Sequence, residues 1–321
     1  MLLVYQLAIP TPYPVGPVNI FLIKNDPITL IDAGPDTVEG KKHLSEGLKS
    51  RGVELSQVRR VFITHSHPDH CGLAGWVSEI SGAEIYVHPY ELRRMTANSD
   101  HVEERMPFII QSGLPGDKLA EITAQKDKLP RPNLDGKKIN LLHGGESLEQ
   151  GQETLQVLHL PGHAPGHLCL YASREGYLFS GDFMLPHITP NPMLEPDPEN
   201  FIRRLPVLQQ YLSGLQKVEK MQINLVWPGH GGVFNDPAGV IAAGRHHHQM
   251  QFDKIKEILG RESKNCYQIT MTIYPTLKGW NIFMGISEIQ AHLDYLVQQG
   301  DLQEEIRSGV IYYRLAGGSS Q

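Results

Sequence analysis

Residues 58–72 read VRRVFITHSHPDHCG, and this stretch decides the fold. It opens as an apolar, β-branched run, the signature of a buried strand. At its end the strand delivers four polar groups within six residues: His65, His67, Asp69 and His70. Two imidazoles at i and i+2 on extended backbone project to the same side, so His65 and His67 can close on one ion. Pro68 turns the chain, and Asp69 and His70 stand where the next helix starts, in reach of a second ion beside the first. Zinc and its first-row neighbours take N and O ligands of this kind. The bland alternative is a chance cluster in a histidine-rich chain. At this chain's own His and Asp frequencies, H-x-H-x-D-H arises by accident roughly twice in a thousand such sequences.

Working outward, the helix after Gly72 repeats Leu73, Trp76, Val77 and Ile80 at helical spacing, and AEIYVHP (83–89) is the next strand. Upstream, VNIFLIK (18–24) and ITLIDAG (28–34) are short strands separated by Asn25-Asp26-Pro27, a hairpin signal, and a helix covers 37–51 up to Arg51-Gly52. This alternation is that of an α/β layered fold. From about 89 to 135 a helical insertion is expected, with breaks at Ser112-Gly113, Pro115-Gly116 and Pro130-Arg131-Pro132. Strands resume in KKINLLHGG, ETLQVLHLPGH, HLCLYAS and GYLFSGD, and a helix near 199–218 precedes NLVWPGHGG. This first domain runs to about 243. Beyond it, RHHHQMQFDKIKEILGR is helical, Ile286, Ile289, Leu293 and Leu296 form one apolar face, and LQEEIRSGVIYYRL reads as two strands around Ser308-Gly309. Helices followed by a hairpin in about 75 residues give a winged-helix-like domain over 244–321.

Composition narrows the function. The chain has 321 residues, 40% apolar and 20% charged, with a net charge of −6, which argues against a nucleic-acid protein working by bulk positive charge. Residues 244–321 carry eight Lys/Arg against eight Asp/Glu, so that segment has no electrostatic footprint for phosphate either. Three cysteines, at 71, 169 and 266, are too few and too scattered for a disulfide framework or a Cys-type zinc site. Sixteen histidines are about twice the usual share and raise the question of metal. No run reaches the ~18 apolar residues of a membrane helix. The N-terminus, without a basic region and running into prolines, reads as a first strand; a cytoplasmic protein is expected.

Four ligands in one loop seldom complete a two-metal site. Three further candidates lie downstream at glycine-flanked strand ends: His163 in LHLPGHAPGH, Asp182 in YLFSGDF and His230 in VWPGHGG. With LIDAG and THSHPDH, these segments resemble the metallo-β-lactamase-fold hydrolase superfamily in order and approximate spacing, over about residues 18–232. The resemblance implies an αββα sandwich with the metal site at one edge of the two sheets. It implies that His65, His67 and His163 hold one ion, that Asp69, His70 and His230 hold a second, and that Asp182 bridges them. It also implies two divalent ions, zinc with iron or manganese as alternatives, and Asp32 in LIDAG as a support behind the ligands. The C-terminal third resembles the winged-helix tail of lactamase-like hydrolases that include RNA-cleaving members.

Within the superfamily, Asp69 and His70 point to the binuclear thioesterase, lactonase and nuclease types, and Asp182 fits poorly with the antibiotic-hydrolysing types that use a cysteine ligand. Leu185 stands where quorum-signal lactonases carry a tyrosine, Gln251 where an arginine usually follows the histidine pair, and the glutathione-holding residues of glyoxalase II have no evident match. The expected reaction is hydrolysis of a small thioester or ester, of the hydroxyacylglutathione-hydrolase kind, by a hydroxide shared between the ions, with Asp69 as the catalytic residue that orients it and moves its proton. Three alternatives remain: a metal-dependent ribonuclease, a single-iron sulfur dioxygenase, and a non-enzymatic winged-helix regulator. The expected partner is a small-molecule substrate. A homodimer is compatible with the chain, the charge weighs against nucleic acid, and no membrane partner is expected. His187, His247 and His248 are candidates to face substrate, and His167 to organise the loop of His163. His43, His88, His101, His143, His159 and His292 read as structural or surface residues, and Cys71 and Trp76 as packing.

Overall fold

The computed structural model describes residues 1–96, 101–124 and 130–317. The chain forms two compact units. The first takes Met1–Ser99, Asp127–Pro190 and Gly214–Ile241, and the second Asp100–Lys126, Asn191–Ser213 and Ala242–Gln321, within the described residues. In chain order the elements of the first half are β1 (Val4–Ile9), β2 (Val18–Ile23), β3 (Thr29–Ile31), α1 (Val38–Ser50), β4 (Arg60–Phe62), α2 (Pro68–Cys71), α3 (Ala74–Ser81), β5 (Glu84–Val87), α4 (Pro89–Met95), α5 (His101–Gln111), α6 (Gly116–Ala124) and β6 (Ile139–Leu141). There follow β7 (Ser147–Gln150), β8 (Glu153–His159), β9 (Leu168–Ala172), β10 (Tyr177–Gly181), β11 (Pro196–Asp197), β12 (Asn200–Arg204), α7 (Val207–Val218), β13 (Leu225–Pro228), α8 (Pro237–Leu259), β14 (Lys264–Asn265), α9 (Cys266–Ile273), α10 (Trp280–Gln298), β15 (Leu302–Arg307) and β16 (Val310–Leu315).

The first unit is a sandwich of two sheets. One has the order β1-β2-β3-β4-β5-β6, antiparallel from β1 to β3 and parallel from β3 to β6. The other has the order β13-β10-β9-β8-β7. Phe21, Ile31 and Phe62 from the first sheet meet Leu155, Val157, Leu170 and Phe179 from the second in one apolar cluster. The ring centroids of Phe21 and Phe179 lie 5.7 Å apart. On the opposite face of the first sheet, Leu30, Val61 and Ile85 pack on Leu44 and Leu48 of α1 and Val77 of α3. A strand covered on both faces has no polar side to show, which is why VNIFLI is nearly continuous in apolar residues and all six of its positions are buried. Thr37 starts α1 by accepting the Gly40 N–H at 2.8 Å.

The second unit ties three separate stretches of chain together. Arg204 donates from Nε and Nη2 to Asp294 at 2.9 and 2.7 Å and from Nη1 to Gln111 at 3.2 Å. Tyr267 N–H donates to the Ser112 carbonyl, Gly279 N–H to Glu121, and Asn191 Nδ2 to the Met284 carbonyl. Strands β14, β16 and β15, in that order, form its three-stranded sheet. Among the described residues no helix is long and apolar enough to cross a membrane.

Several expected bounds differ. The helix near 199–218 begins only at Val207, because residues 200–204 pair as β12 with β11. Pro206 explains the offset: proline lacks an N–H and keeps its predecessor out of the helical region, so a helix starts at or beyond it. KKINLLHGG contributes only Ile139–Leu141 as strand, and Ser147–Gln150 is a separate one. The helix expected from 245 already starts at Pro237. The segment expected as an insertion of the first domain supplies α4 to the first unit and α5 and α6 to the second. Its residues 97–100 and 125–129 lie outside the described ones.

Candidate metal centre

Every candidate ligand sits just past the end of a strand. β4 ends at Phe62 and is followed by His65, His67, Asp69 and His70; His163 follows β8, Asp182 follows β10 and His230 follows β13. The structure brings all seven together. Ligand atoms of His65, His67 and His163 lie within 4.8 Å of one another, as do those of His65, His70 and Asp182, and those of Asp69, His70 and His230. His67 Nδ1 lies 2.9 Å from His65 Nε2 and 3.1 Å from His163 Nε2. Asp182 faces both groups: its Oδ1 is 3.4 Å from His70 Nε2, and its Oδ2 is 3.7 Å from both His163 Nε2 and His230 Nε2. Asp69 Oδ2 is 3.4 Å from His230 Nε2.

The surrounding hydrogen bonds fix the tautomers. Asp32, buried and held at a φ of 61°, accepts the Thr64 N–H at 2.8 Å and His70 Nδ1–H at 2.8 Å. Thr64 Oγ1 spends its single proton on Asp32, so His65 Nδ1–H donates to it at 3.0 Å. His230 Nδ1–H donates to the Pro17 carbonyl at 2.9 Å. When each ring carries a single proton, as metal binding requires, the Nε2 atoms of His65, His70 and His230 are left as acceptors turned inward, the arrangement that outer partners impose on metal-binding imidazoles. His167 Nε2 accepts the Asp182 N–H at 3.2 Å and its ring stacks on His65, so it orders the strand end that carries Asp182.

The donor set fits a divalent transition ion. Asp182 Oδ1 is buried and accepts no hydrogen bond among the described residues, which a coordinated ion would remedy. The backbone is also kept clear: a Cβ on Gly229 would stand 2.3 Å from Asp182 Oδ1 and 2.8 Å from His70 Cε1. Burial pushes the imidazoles of His65 and His67 down, His67 to about 3, with neighbouring histidines adding to the shift. Burial pulls His70 down as well, but the carboxylates of Asp182, Asp32 and Asp69 outweigh it and hold His70 well above its ordinary value. Against its own burial, Asp182 is held far below the usual carboxylate range by His70, His230 and His163.

The other candidates are dispersed. His187 is exposed on the loop after β10. His247 and His248 belong to the second unit, where His247 Nε2 lies 3.2 Å from Glu288 Oε1. His292 Nδ1–H must donate to the Glu288 carbonyl at 2.7 Å, so its Nε2 accepts from His248 Nδ1–H at 3.0 Å. Cys71 is buried at the end of α2 with its thiol pushed well up by burial, and Trp76 packs against the core. The His101 side chain lies outside the described residues. Sequence reasoning missed Thr64 and Asn19. Asn19 Nδ2 donates to the carbonyls of Pro228 and Gly231, both at 2.8 Å, and clasps the turn that carries His230. The available signal was a lone amide inside an apolar strand.

Comparison with known proteins agrees with this geometry. The family model described as the metallo-beta-lactamase superfamily matches residues 13–230. The chain is 27% identical to the probable metallo-hydrolase YqjP of Bacillus subtilis (strain 168) over 97% of both chains. It is 23% identical over 64% of its length to an atrochrysone carboxyl ACP thioesterase of Aspergillus fumigatus, of which it covers 35%. A crystal structure of a metallo-beta-lactamase family protein from Thermus thermophilus superposes with a TM-score of 0.81 at 25% identity, over 97% of this chain and 98% of that one. With the sandwich, the strand-end donors and the family match in agreement, the chain belongs to the metallo-beta-lactamase superfamily and is one of its metallo-hydrolases.

Proposed function

We propose that the protein hydrolyses a small thioester or ester with two divalent ions, zinc in the first instance. The observation that carries this reading is the position of Asp182, a single carboxylate within 3.7 Å of His163 on one side and of His70 and His230 on the other. His65, His67 and His163 would hold one ion and Asp69, His70 and His230 the other, with Asp182 shared. When bound, such ions supply a water of lowered pKa and a Lewis acid for the electrophilic oxygen.

The remaining steps fall to the chain. Asp69 is buried, and its carboxyl is nonetheless held below its ordinary value by the neighbouring His70 and His230. It therefore enters the reaction ionised, orients the attacking water, takes its proton and returns it to the departing thiolate or alkoxide. No protein nucleophile is needed. Burial pushes the thiols of Cys71 and Cys169 well up, which removes the two cysteines of this unit from that role. The thioesterase among the relatives supports the thioester reading. In the second unit, the order α8, β14, α9, α10, β15, β16 with sheet order β14-β16-β15 supports a winged-helix reading of that module.

The test is a substrate panel on zinc-reconstituted protein: acyl thioesters, aryl esters, lactones, phosphodiesters and RNA, with oxygen uptake followed in parallel. Thioester or ester turnover that disappears on chelation and returns with zinc is the expected result. Turnover confined to RNA, or oxygen consumption with iron alone, would contradict it.

A further inference from the structure

Several of the proposed ligands sit on turns, and turns need something to hold their spacing. His65 and His67 lie in the turn after β4, and His163 in the turn between β8 and β9. Glu91, on α4, is fully buried at 0% exposure and belongs to neither. Its Oε2 accepts the Ser66 N–H at 2.8 Å, and its Oε1 accepts the Gly166 N–H at 2.7 Å. Ser66 lies between His65 and His67, while Gly166 lies three residues after His163 and one before His167. One carboxylate thus receives one amide from each ligand turn. Hydrogen bonds from N–H to an ionised carboxylate are short and about twice as strong as neutral ones.

The surroundings leave Glu91 little freedom. A Cβ on Gly166 would stand 2.5 Å from His88 Nδ1 and 2.9 Å from Glu91 Cγ, so the turn approaches α4 as backbone only. The neighbouring Pro165 carbonyl accepts from His159 Nε2 at 2.9 Å, and the His159 ring stacks on His88 with centroids 4.5 Å apart. Cys71 Sγ donates to the Ser66 carbonyl at 3.3 Å, holding the next peptide of the same turn.

We propose that Glu91 is a positioning residue of the metal centre. By gripping Ser66 and Gly166 it sets how far His163 stands from His65 and His67, and so tunes the affinity of the site those three residues form. The inference rests on the metal-centre reading above and is separable from it, because both amide bonds belong to the metal-free chain.

Glu91→Gln tests it. The amide keeps the size but has one oxygen, so one of the two N–H bonds is lost and an NH2 faces an N–H. In chelator-stripped full-length protein, hydrogen exchange at Ser66 or Gly166 should quicken by about tenfold or more. Zinc affinity, measured by competition with a chromophoric chelator at a temperature where circular dichroism shows wild type and variant folded, should fall about 10–100-fold. A role confined to stability would lower the melting temperature and leave that affinity unchanged. Glu91→Asp keeps the charge but is too short to span both turns, and carries the test if the Gln variant does not fold. Wild-type zinc affinity in the folded variants, or unchanged exchange at both amides, overturns the proposal alone. A wild-type chain that takes up no zinc overturns the metal-centre reading and the proposal with it.

Discussion

Replacing Asp182 with alanine removes a carboxylate that lies within 3.7 Å of His70, His163 and His230. The expected outcome is loss of most bound metal and of activity, whereas Asp69→Asn keeps much of the metal and loses most of the rate, on the proposal that Asp69 acts on the proton. Elemental analysis beside the rate separates the two, and equal metal loss in both variants would undo the division of roles. Gly229→Ala should be nearly as damaging as losing a ligand, with metal affinity down by about tenfold or more. Its new Cβ would sit 2.3 Å from Asp182 Oδ1. An alanine variant with full zinc uptake would show that the turn yields instead. At this scale His65, His67, Asp69 and His70 were legible as candidates because they form a dense pattern at i, i+2, i+4 and i+5, whereas His163, Asp182 and His230 were candidates at glycine-flanked strand ends that only the resemblance turned into a ligand set. Asp32 was legible only through the resemblance. Thr64, Asn19 and Glu91 were not, since each is an ordinary residue whose role comes from a partner at least 25 positions away.

Among the elements, helices α8 and α10 are joined through Glu288, whose Oε1 receives His247 Nε2, Gln251 Nε2 and the Tyr274 hydroxyl. Burial pushes this carboxyl up, but the His247 hydrogen bond and the neighbouring His292 and His247 rings hold it below its ordinary value. A carboxylate depressed in the folded state stabilises above its unfolded pKa, and that stability is lost as pH falls through the folded one. Glu288→Gln should therefore be less stable than wild type at pH 7, by about 1–2 kcal/mol from the weakened charged hydrogen bonds. The two proteins should converge in urea melts below the usual carboxylate range, and a deficit of equal size at both pH values would assign the effect to packing. Helical periodicity made α1, α3 and α10 legible. Strand β12 was misread because its apolar residues, Phe201 and Ile202, run into the helix after Pro206 and are themselves exposed.

For the whole molecule, a boundary near 244 describes the order of the sequence but not what holds together. The second unit also draws on Asp100–Lys126 and Asn191–Ser213, tied in by Arg204 on Asp294, Tyr267 on Ser112 and Gly279 on Glu121. Contacts this distant in sequence leave no periodic trace, so the interleaving could not be read from the chain. Cutting after residue 243 takes Asp294 from the mostly buried Arg204 and the Tyr267 N–H from the Ser112 carbonyl, so both stretches lose the partners that hold them. The fragment is expected to aggregate or to melt well below the full chain in a thermal scan, and a soluble fragment with wild-type stability would contradict this. The central claim, a centre built for two ions, is tested most directly by titrating zinc into chelator-stripped full-length protein and counting bound metal by elemental analysis. The account predicts close to two ions per chain. A single tightly held ion that admits no second would contradict it.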